Sequence, residues 1–476
     1  MLFNSFPFLV FFPIVCVVYY ALPTLKLKNG FLLVASYYFY MNWEPTYALL
    51  LLASTGITYL ASIGIDRFEG KKKMILIISI IANLSILFFF KYYNWAADGI
   101  RECLAYWGLS IHIPEFKFLL PVGISFYIFQ ALGYSIDVYY NNVKTERNFL
   151  RYALFVSFFP QLVAGPIERS TNLLKQFHEK HKFDGDRAIK GVTIMLWGYF
   201  LKLVIADNLA IYVDGIYNNP SLTTLGGGHV LIACILFCFQ LYGVFAGYSY
   251  IAIGCSLVMG FKLMDNFLRP YFFSTSVQDF WKRNHISLTT WFMDYVYYPM
   301  VGSSTNIFWW CFSIFLTFFL SGFWHGANWT YVLCFSIFGI YLVVCVLKEK
   351  QQRKIEKKYN LKKKEWYIWT NRLLTFVLVA FALIFFRANT ISDGFTIIRD
   401  IFSGLTGLRS AICSLSIEFL FLLVLFVSEY IVEYKKANRF IEKYYLATYI
   451  WISICMITSI IVYGNFGGSQ FIYFQF

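Results

Sequence analysis

Apolar residues run along this chain in long blocks, near residues 6–22, 31–42, 46–65, 74–91, 118–136, 149–165, 190–212, 229–261, 305–321, 327–347, 371–386, 415–434 and 447–463. Several approach the roughly 20 consecutive apolar residues with which a helix crosses a bilayer core. Met74 to Phe90, Phe118 to Ile136 and Val332 to Leu347 are the clearest. The pattern predicts an all-α integral membrane protein, a single polytopic domain over residues 1–476 with roughly 11–13 apolar segments, not all of which need cross. The first block, "MLFNSFPFLVFFPIVCVVYYAL", has neither a basic leader nor a small-residue cleavage site and reads as a retained first span.

Two stretches depart from this pattern. In "FVSFFPQLVAGPIER" (155–169), Pro160, Gly165 and Pro166 interrupt a short apolar run. Broken backbone survives at membrane depth only when it is buried in protein or faces a water-filled cavity, so the stretch is a candidate re-entrant segment. In "SVQDFWKRNHISLTTWFMDYVYYP" (276–299), Val277, Phe280, Trp281, Leu288, Trp291, Phe292, Tyr295 and Val296 recur at helical spacing, with Asp279, Lys282, Arg283, Ser287, Thr290 and Asp294 opposite. This segment should lie as a helix along the interface, with His285 on the border between its faces.

Composition narrows the class. The chain is 59% hydrophobic and 14% charged, with a mean hydropathy of +0.59, which excludes an ordinary soluble domain. Its net charge of +14 resides mostly in short connecting segments, as in cytoplasmic loops, and does not mark a nucleic-acid surface. The stretch 348–365 holds nine Lys or Arg against three Glu and should be cytoplasmic, as should 175–190 and 435–443. The loop at Lys71, Lys72 and Lys73 breaks the parity by one span, which either a re-entrant 155–169 or a miscounted span would repair. Ten scattered cysteines without a CxxC pair indicate neither disulfides nor a metal site. No internal repeat is visible, which weighs against a transporter built on inverted halves.

Ionisable groups inside apolar blocks are costly, by about 2.5–3.5 kcal/mol for Lys, Arg or Asp, and each asks for a reason. Asp137 reads as a helix end, Lys202 and Asp207 as a pair or as chains reaching an interface, and Arg387 as snorkelling. His325, in "LSGFWHGANW" (320–329), is the group that asks for chemistry. An imidazole with a pKa of about 6.5 can take and return a proton, a service that a hydroxyl attacking a thioester needs. The alternative is a buried histidine satisfied by a neighbouring carbonyl. If one continuous helix joined His325 to the basic stretch at Lys348, the ring would lie roughly 34 Å from the cytoplasmic face.

Seven stretches, in order, resemble the membrane-bound O-acyltransferase family, in its alginate O-acetyltransferase-like branch. They are "MLFNSFPFLVFF", "LPVGISFYIFQALGYSIDVYY" (120–140), "FFPQLVAGPIER" (158–169), "KLVIADNLAIYVD" (202–214), "FAGYSYIAIG" (245–254), "NFLRPYFFSTSVQDFWKRNHISLTTWFMDYVYYP" (266–299) and "LSGFWHGANW". The resemblance implies a multi-helix bundle around a buried channel, with a core at about 118–347 and C-terminal spans at 371–463. It implies His325 as the principal catalytic residue and His285 as the second, with Trp324, Asn328, Asp294, Tyr248 and Ser249 as candidate lining residues. It further implies an acyl-thioester donor, expected to be acetyl-CoA with no bound cofactor, and a polysaccharide acceptor. An extracytoplasmic acetyltransferase partner and a multi-pass site in the lipid of the bacterial cytoplasmic membrane are also implied. Two positions depart from the family pattern, Tyr250 where an acid is common and Asn284 where a Trp is common. D-alanyl transfer to teichoic acid and peptidoglycan O-acetylation are the alternatives within the class, and a transporter or flippase is the alternative outside it.

Overall fold

The computed structural model describes residues 1–116, 120–219, 226–268, 271–433 and 445–467; the basic stretch 435–443 lies outside them. Among the described residues the secondary structure is helical, with no strand. Seven helices there are long and apolar enough to cross a membrane: Pro45–Arg67, Glu69–Lys91, Gly185–Tyr217, Gly227–Met259, Ile307–His325, Trp329–Lys358 and Glu365–Arg387. The protein is a multi-pass, all-α membrane protein.

The chain divides into two compact units. The first comprises Met1–Met195 and Ile251–Met264. It holds α1 (Phe6–Ala21), α2 (Leu25–Met41), α3 (Ala48–Arg67), α4 (Lys72–Lys91), α5 (Tyr93–Tyr106), α6 (Ile124–Tyr139), α7 (Phe149–Ser157), α8 (Phe159–Leu162) and most of α9 (Gly185–Tyr199). Helix α3 packs on α4, α6 and α7, and its buried face includes Ser54, Thr55, Thr58 and Ser62. Ser54 Oγ donates to Asn83 Oδ1 at 2.6 Å, and Tyr152 Oη to Thr58 Oγ1 at 2.7 Å. Lipid offers no hydrophobic drive for helix pairing, so small side chains and interhelical hydrogen bonds supply it. Asp137 does sit near a helix end, at the last turn of α6, where it accepts from Ser170 Oγ at 3.1 Å.

The stretch 155–169 is broken and buried. Helix α7 ends at Ser157, α8 covers one turn, and 163–169 is irregular, while every residue from Tyr152 to Glu168 is buried. Side chains replace the missing helical bonds. The Phe155 carbonyl accepts from Gln130 Nε2 at 2.6 Å and Gln161 Nε2 at 2.9 Å, and the Phe159 N–H donates to Ser36 Oγ at 3.1 Å. Backbone groups freed at the break thus find partners inside protein, as an apolar surrounding demands.

The second unit comprises Leu196–Tyr250 and Asp265–Gln475. A π-helical stretch, Phe200–Ala206, leads into α10 (Asp207–Tyr217), followed by most of α11 (Gly227–Met259), α12 (Val277–Arg283), α13 (Ile286–Phe292) and α14 (Tyr298–Val301). Then come α15 (Ile307–His325), α16 (Trp329–Lys358), α17 (Glu365–Arg387), α18 (Ile391–Ser403), α19 (Leu408–Cys413), α20 (Ser416–Glu433) and α21 (Tyr445–Tyr463). Lys202 and Asp207 form an ion pair across the π-helical stretch, each only 1% exposed. Arg387 ends α17 beside α10 and pairs with Asp214 Oδ1 at 2.7 Å and Asn218 Oδ1 at 3.1 Å.

Two sequence expectations are corrected here. No single helix runs through 276–299: α12 and α13 are separated at His285, whose backbone is left-handed at φ 48°, ψ 49°. Ser287, expected on the polar face, is fully buried. Nor does a continuous helix join His325 to Lys348. His325 is the last residue of α15, Gly326 is extended, and Asn328 starts α16 by accepting from the Thr330 N–H at 3.0 Å. The distance from His325 to Lys348 is therefore not that of one continuous helix.

Glycines on both sides of His325 let α15 and α16 close. A Cβ at Gly322 would stand 2.7 Å from Val332 Cα, and one at Gly326 would stand 2.4 Å from the Tyr331 ring. Backbone cannot yield as a flexible side chain can, so Gly322→Ala should destabilise the protein by about 1–3 kcal/mol. Thermal unfolding in detergent should show the drop, whereas Gly215→Ala, which meets no atom within 4 Å, should show little.

Candidate active site

Several elements of the second unit meet around a small cavity: α11, α12 and the break that follows it, the end of α15, α16, and the end of α17. Asn266, in the irregular segment before α12, organises the break. Its backbone carbonyl accepts from the Ile286 N–H at 2.9 Å, and the Leu268 N–H donates back to the Arg283 carbonyl at 2.9 Å. Its side-chain Oδ1 accepts from the Ser287 N–H at 3.1 Å and from Ser287 Oγ at 2.8 Å, and lies 3.3 Å from His285 Nδ1. Its Nδ2 donates to Ser249 Oγ at 2.9 Å. These bonds hold His285 in a backbone conformation that a residue with a Cβ adopts at a cost.

The same bonds settle a proton. A backbone N–H can only donate, so the Asn266 atom that receives the Ser287 N–H is oxygen, and His285 Nδ1, facing that oxygen, must carry hydrogen. Nε2 then carries the lone pair. Burial pushes the His285 imidazole down from 6.5 to about 3, so the ring is neutral throughout the physiological range.

His325 faces the same cavity from the end of α15. The two imidazole centroids are 6.5 Å apart at 72°, and the residues are 6% and 5% exposed. Phe335 stacks on His325 at 4.2 Å, and Trp324 meets it edge-on at 4.9 Å. Phe245 and Phe267 stack on His285 at 6.1 and 6.2 Å. The cavity between them has a volume of about 40 Å³ and is also lined by Tyr242, Trp281, Asn284, Phe338 and Phe386. That is room for two or three waters. Two neutral-capable imidazoles around a small aromatic pocket can accept a hydroxyl proton, hold it away from bulk water and return it to a leaving group.

Comparison with known proteins decides the class of reaction. The sequence model of the membrane-bound O-acyltransferase family (MBOAT) matches residues 35–389, which contain both histidines and Asn266.

The chain belongs to the membrane-bound O-acyltransferase family.

It is an O-acyltransferase. The protein is 35% identical over 408 residues to the Probable alginate O-acetylase AlgI of Pseudomonas aeruginosa, covering 85% of this chain and 75% of that one. It is 32% identical over 416 residues to the Peptidoglycan O-acetyltransferase of Helicobacter pylori, covering 81% and 75%. To the Teichoic acid D-alanyltransferase of Bacillus subtilis it is 30% identical over 292 residues, covering 58% and 71%.

The residues singled out by the family resemblance fall in three places. His285 and His325 line the cavity, and Trp324 touches both rings, at 6.0 and 4.9 Å. Ser249 stands behind His285 as the acceptor for Asn266, and Tyr248, buried beside it in sequence, lies under Lys202 Nζ at 5.9 Å. Asn328 caps α16 and donates to the Asn389 carbonyl at 3.1 Å, a structural task. Asp294 is exposed and does not line this cavity. Asn266 was not anticipated: it stands 17 residues from Ser249 and 19 from His285, so no local motif joins the three.

Proposed function

We propose that the protein transfers an acetyl group from acetyl-CoA, supplied from the cytoplasm, to a hydroxyl of an extracytoplasmic polysaccharide. It does so from the cytoplasmic membrane of a bacterium, with an extracytoplasmic partner protein that completes the modification. The observation that carries this reading is the convergence of His285 and His325 on one buried cavity, 6.5 Å apart. The hydroxyl oxygen attacks the thioester carbonyl carbon, and the carbon–sulfur bond breaks. His325 takes the hydroxyl proton and gives it to the departing thiolate, so that an ester and free CoA thiol result. His285 orients. A ring held neutral to about pH 3 is poorly matched to carrying a proton at pH 7, whereas its Nε2 lone pair can receive a hydrogen bond from the acceptor or hold the donor end in place.

Acetyl is favoured over D-alanyl by the cavity wall. Among the described residues that line it none is acidic, and Glu429, which accepts from the Tyr242 hydroxyl at 2.9 Å, is not a lining residue. An aminoacyl ammonium brought there would lack a counter-charge, and an unpaired buried charge is costly. The relatives named as O-acetylases or O-acetyltransferase also align over more of this chain than the D-alanyltransferase. A passage for intact sugar is disfavoured by a cavity of about 40 Å³. Acetyl-labelled CoA given to membranes that contain the protein should place label on polymer or on the partner. Absence of transfer from acetyl-CoA, with transfer from a D-alanyl thioester instead, would replace this reading by the second.

A further inference from the structure

Trp281 borders two cavities. One is the histidine cavity. The other, about 240 Å³, lies among α12, α13, α15 and α16 and is lined largely by apolar side chains that include Leu288, Phe292, Phe318 and Leu342. The indole is held in place by rings on three helices: Phe280 at 5.1 Å, Phe318 at 5.1 Å, Phe338 at 5.0 Å and Phe335 at 5.7 Å. It is 9% exposed, and its Nε1–H is buried with no hydrogen-bond partner among the described residues. Burying a donor with no acceptor is an expensive way to fill space, since phenylalanine would pack there without that cost. The site therefore uses the size of the ring.

We propose that Trp281 determines acyl-chain length: its indole closes the histidine cavity against the neighbouring apolar cavity, so that a two-carbon acyl group fits beside His285 and His325 and a longer one is refused. This inference rests on the acyl-transfer reading above. The closed cavity of about 40 Å³ has no room for a tail. The cavity beyond the indole does. A methylene is about the size of a water molecule, which takes roughly 10–15 Å³ of such a cavity, so 240 Å³ accepts the four extra methylenes of a hexanoyl group with room to spare. Its lining of Leu288, Phe292 and Leu342 is what such a tail would bury against, and each methylene admitted is worth up to about four-fold in kcat/KM.

The experiment compares acetyl-, butyryl- and hexanoyl-CoA as donors, with the full-length protein in membranes, and reads the ratio of kcat/KM for acetyl to that for hexanoyl. The wild-type protein should strongly prefer acetyl, and Trp281→Phe, which leaves a smaller ring in the wall, should lower that preference only in part. Trp281→Ala should lower the ratio about ten-fold or more, with butyryl between the extremes. Refilling the second cavity in the double variant Trp281→Ala/Leu342→Phe should restore the acetyl preference. Should the alanine variant fail to fold, Trp281→Leu keeps an apolar partner for Phe318 and Phe338 and should show the same change in smaller degree. A folded Ala or Leu variant with the wild-type ratio overturns the role of Trp281 while acetyl transfer itself stands. Failure of the wild-type protein to use any acyl-CoA overturns the acyl-CoA reading, and this inference with it.

Discussion

Replacing His325 by glutamine should lower acetyl transfer by about 10²- to 10⁴-fold, the usual worth of a positioned general base. Glutamine keeps a neutral polar chain of similar reach at the end of α15, so packing against Phe335 and Trp324 is largely preserved while proton exchange is lost. Label from acetyl-CoA should fall to near background in membranes that hold normal amounts of inserted protein. His285→Ala should act differently. It removes an orienting group that does not titrate, so the residual activity should keep the wild-type pH profile above pH 5. If His325→Gln retained near-normal transfer and His285→Ala alone were inactive, the roles given to the two rings would be exchanged. The size of the first effect follows from the closed surroundings: with about 40 Å³ of open volume, few waters can reach the hydroxyl to substitute for the missing base.

Apolar block length made the long spans legible, because lipid imposes helix on any buried stretch of sufficient length. Blocks near 46–65, 229–261 and 371–386 correspond to α3, α11 and α17 with small shifts at the ends. Helices α5 and α18 escaped because they are amphipathic and carry charges: Asp98, Arg101 and Glu102 in one, Asp393, Arg399 and Asp400 in the other. The break at 155–169 was visible through its prolines and glycine, since those residues cannot continue a helix. The break at His285 was not. Nothing in "KRNHISL" announces a left-handed residue; the kink exists because Asn266, distant in sequence, captures the Ile286 and Ser287 N–H groups. For the site, family resemblance pointed to both histidines and to Trp324, whereas the network behind His285 could be read only from three-dimensional contacts.

That network makes Asn266 the second sensitive position. Asn266→Ala should reduce kcat about 10²-fold, with the KM for donor changed much less. The variant removes the oxygen that holds hydrogen on His285 Nδ1, and an imidazole in the wrong tautomer presents a donor where an acceptor is needed. It also strands the Ser287 N–H and hydroxyl, so thermal stability should fall as well. Asn266→Asp separates positioning from mere packing. A carboxylate oxygen can still accept from Nδ1–H, from the Ser287 N–H and from Ser287 Oγ, and the Ser249 hydroxyl can turn to donate. Activity near pH 8 should therefore recover to within about ten-fold of wild type. The new negative charge beside the ring favours imidazolium and raises the His285 pKa from about 3. Below the raised pKa the Nε2 lone pair is occupied by a proton, so the Asp variant should lose activity as pH falls across a range where the wild type is flat. Were Asn266 only a packing residue, the Asp variant would be no better than Ala and no new acid limb would appear.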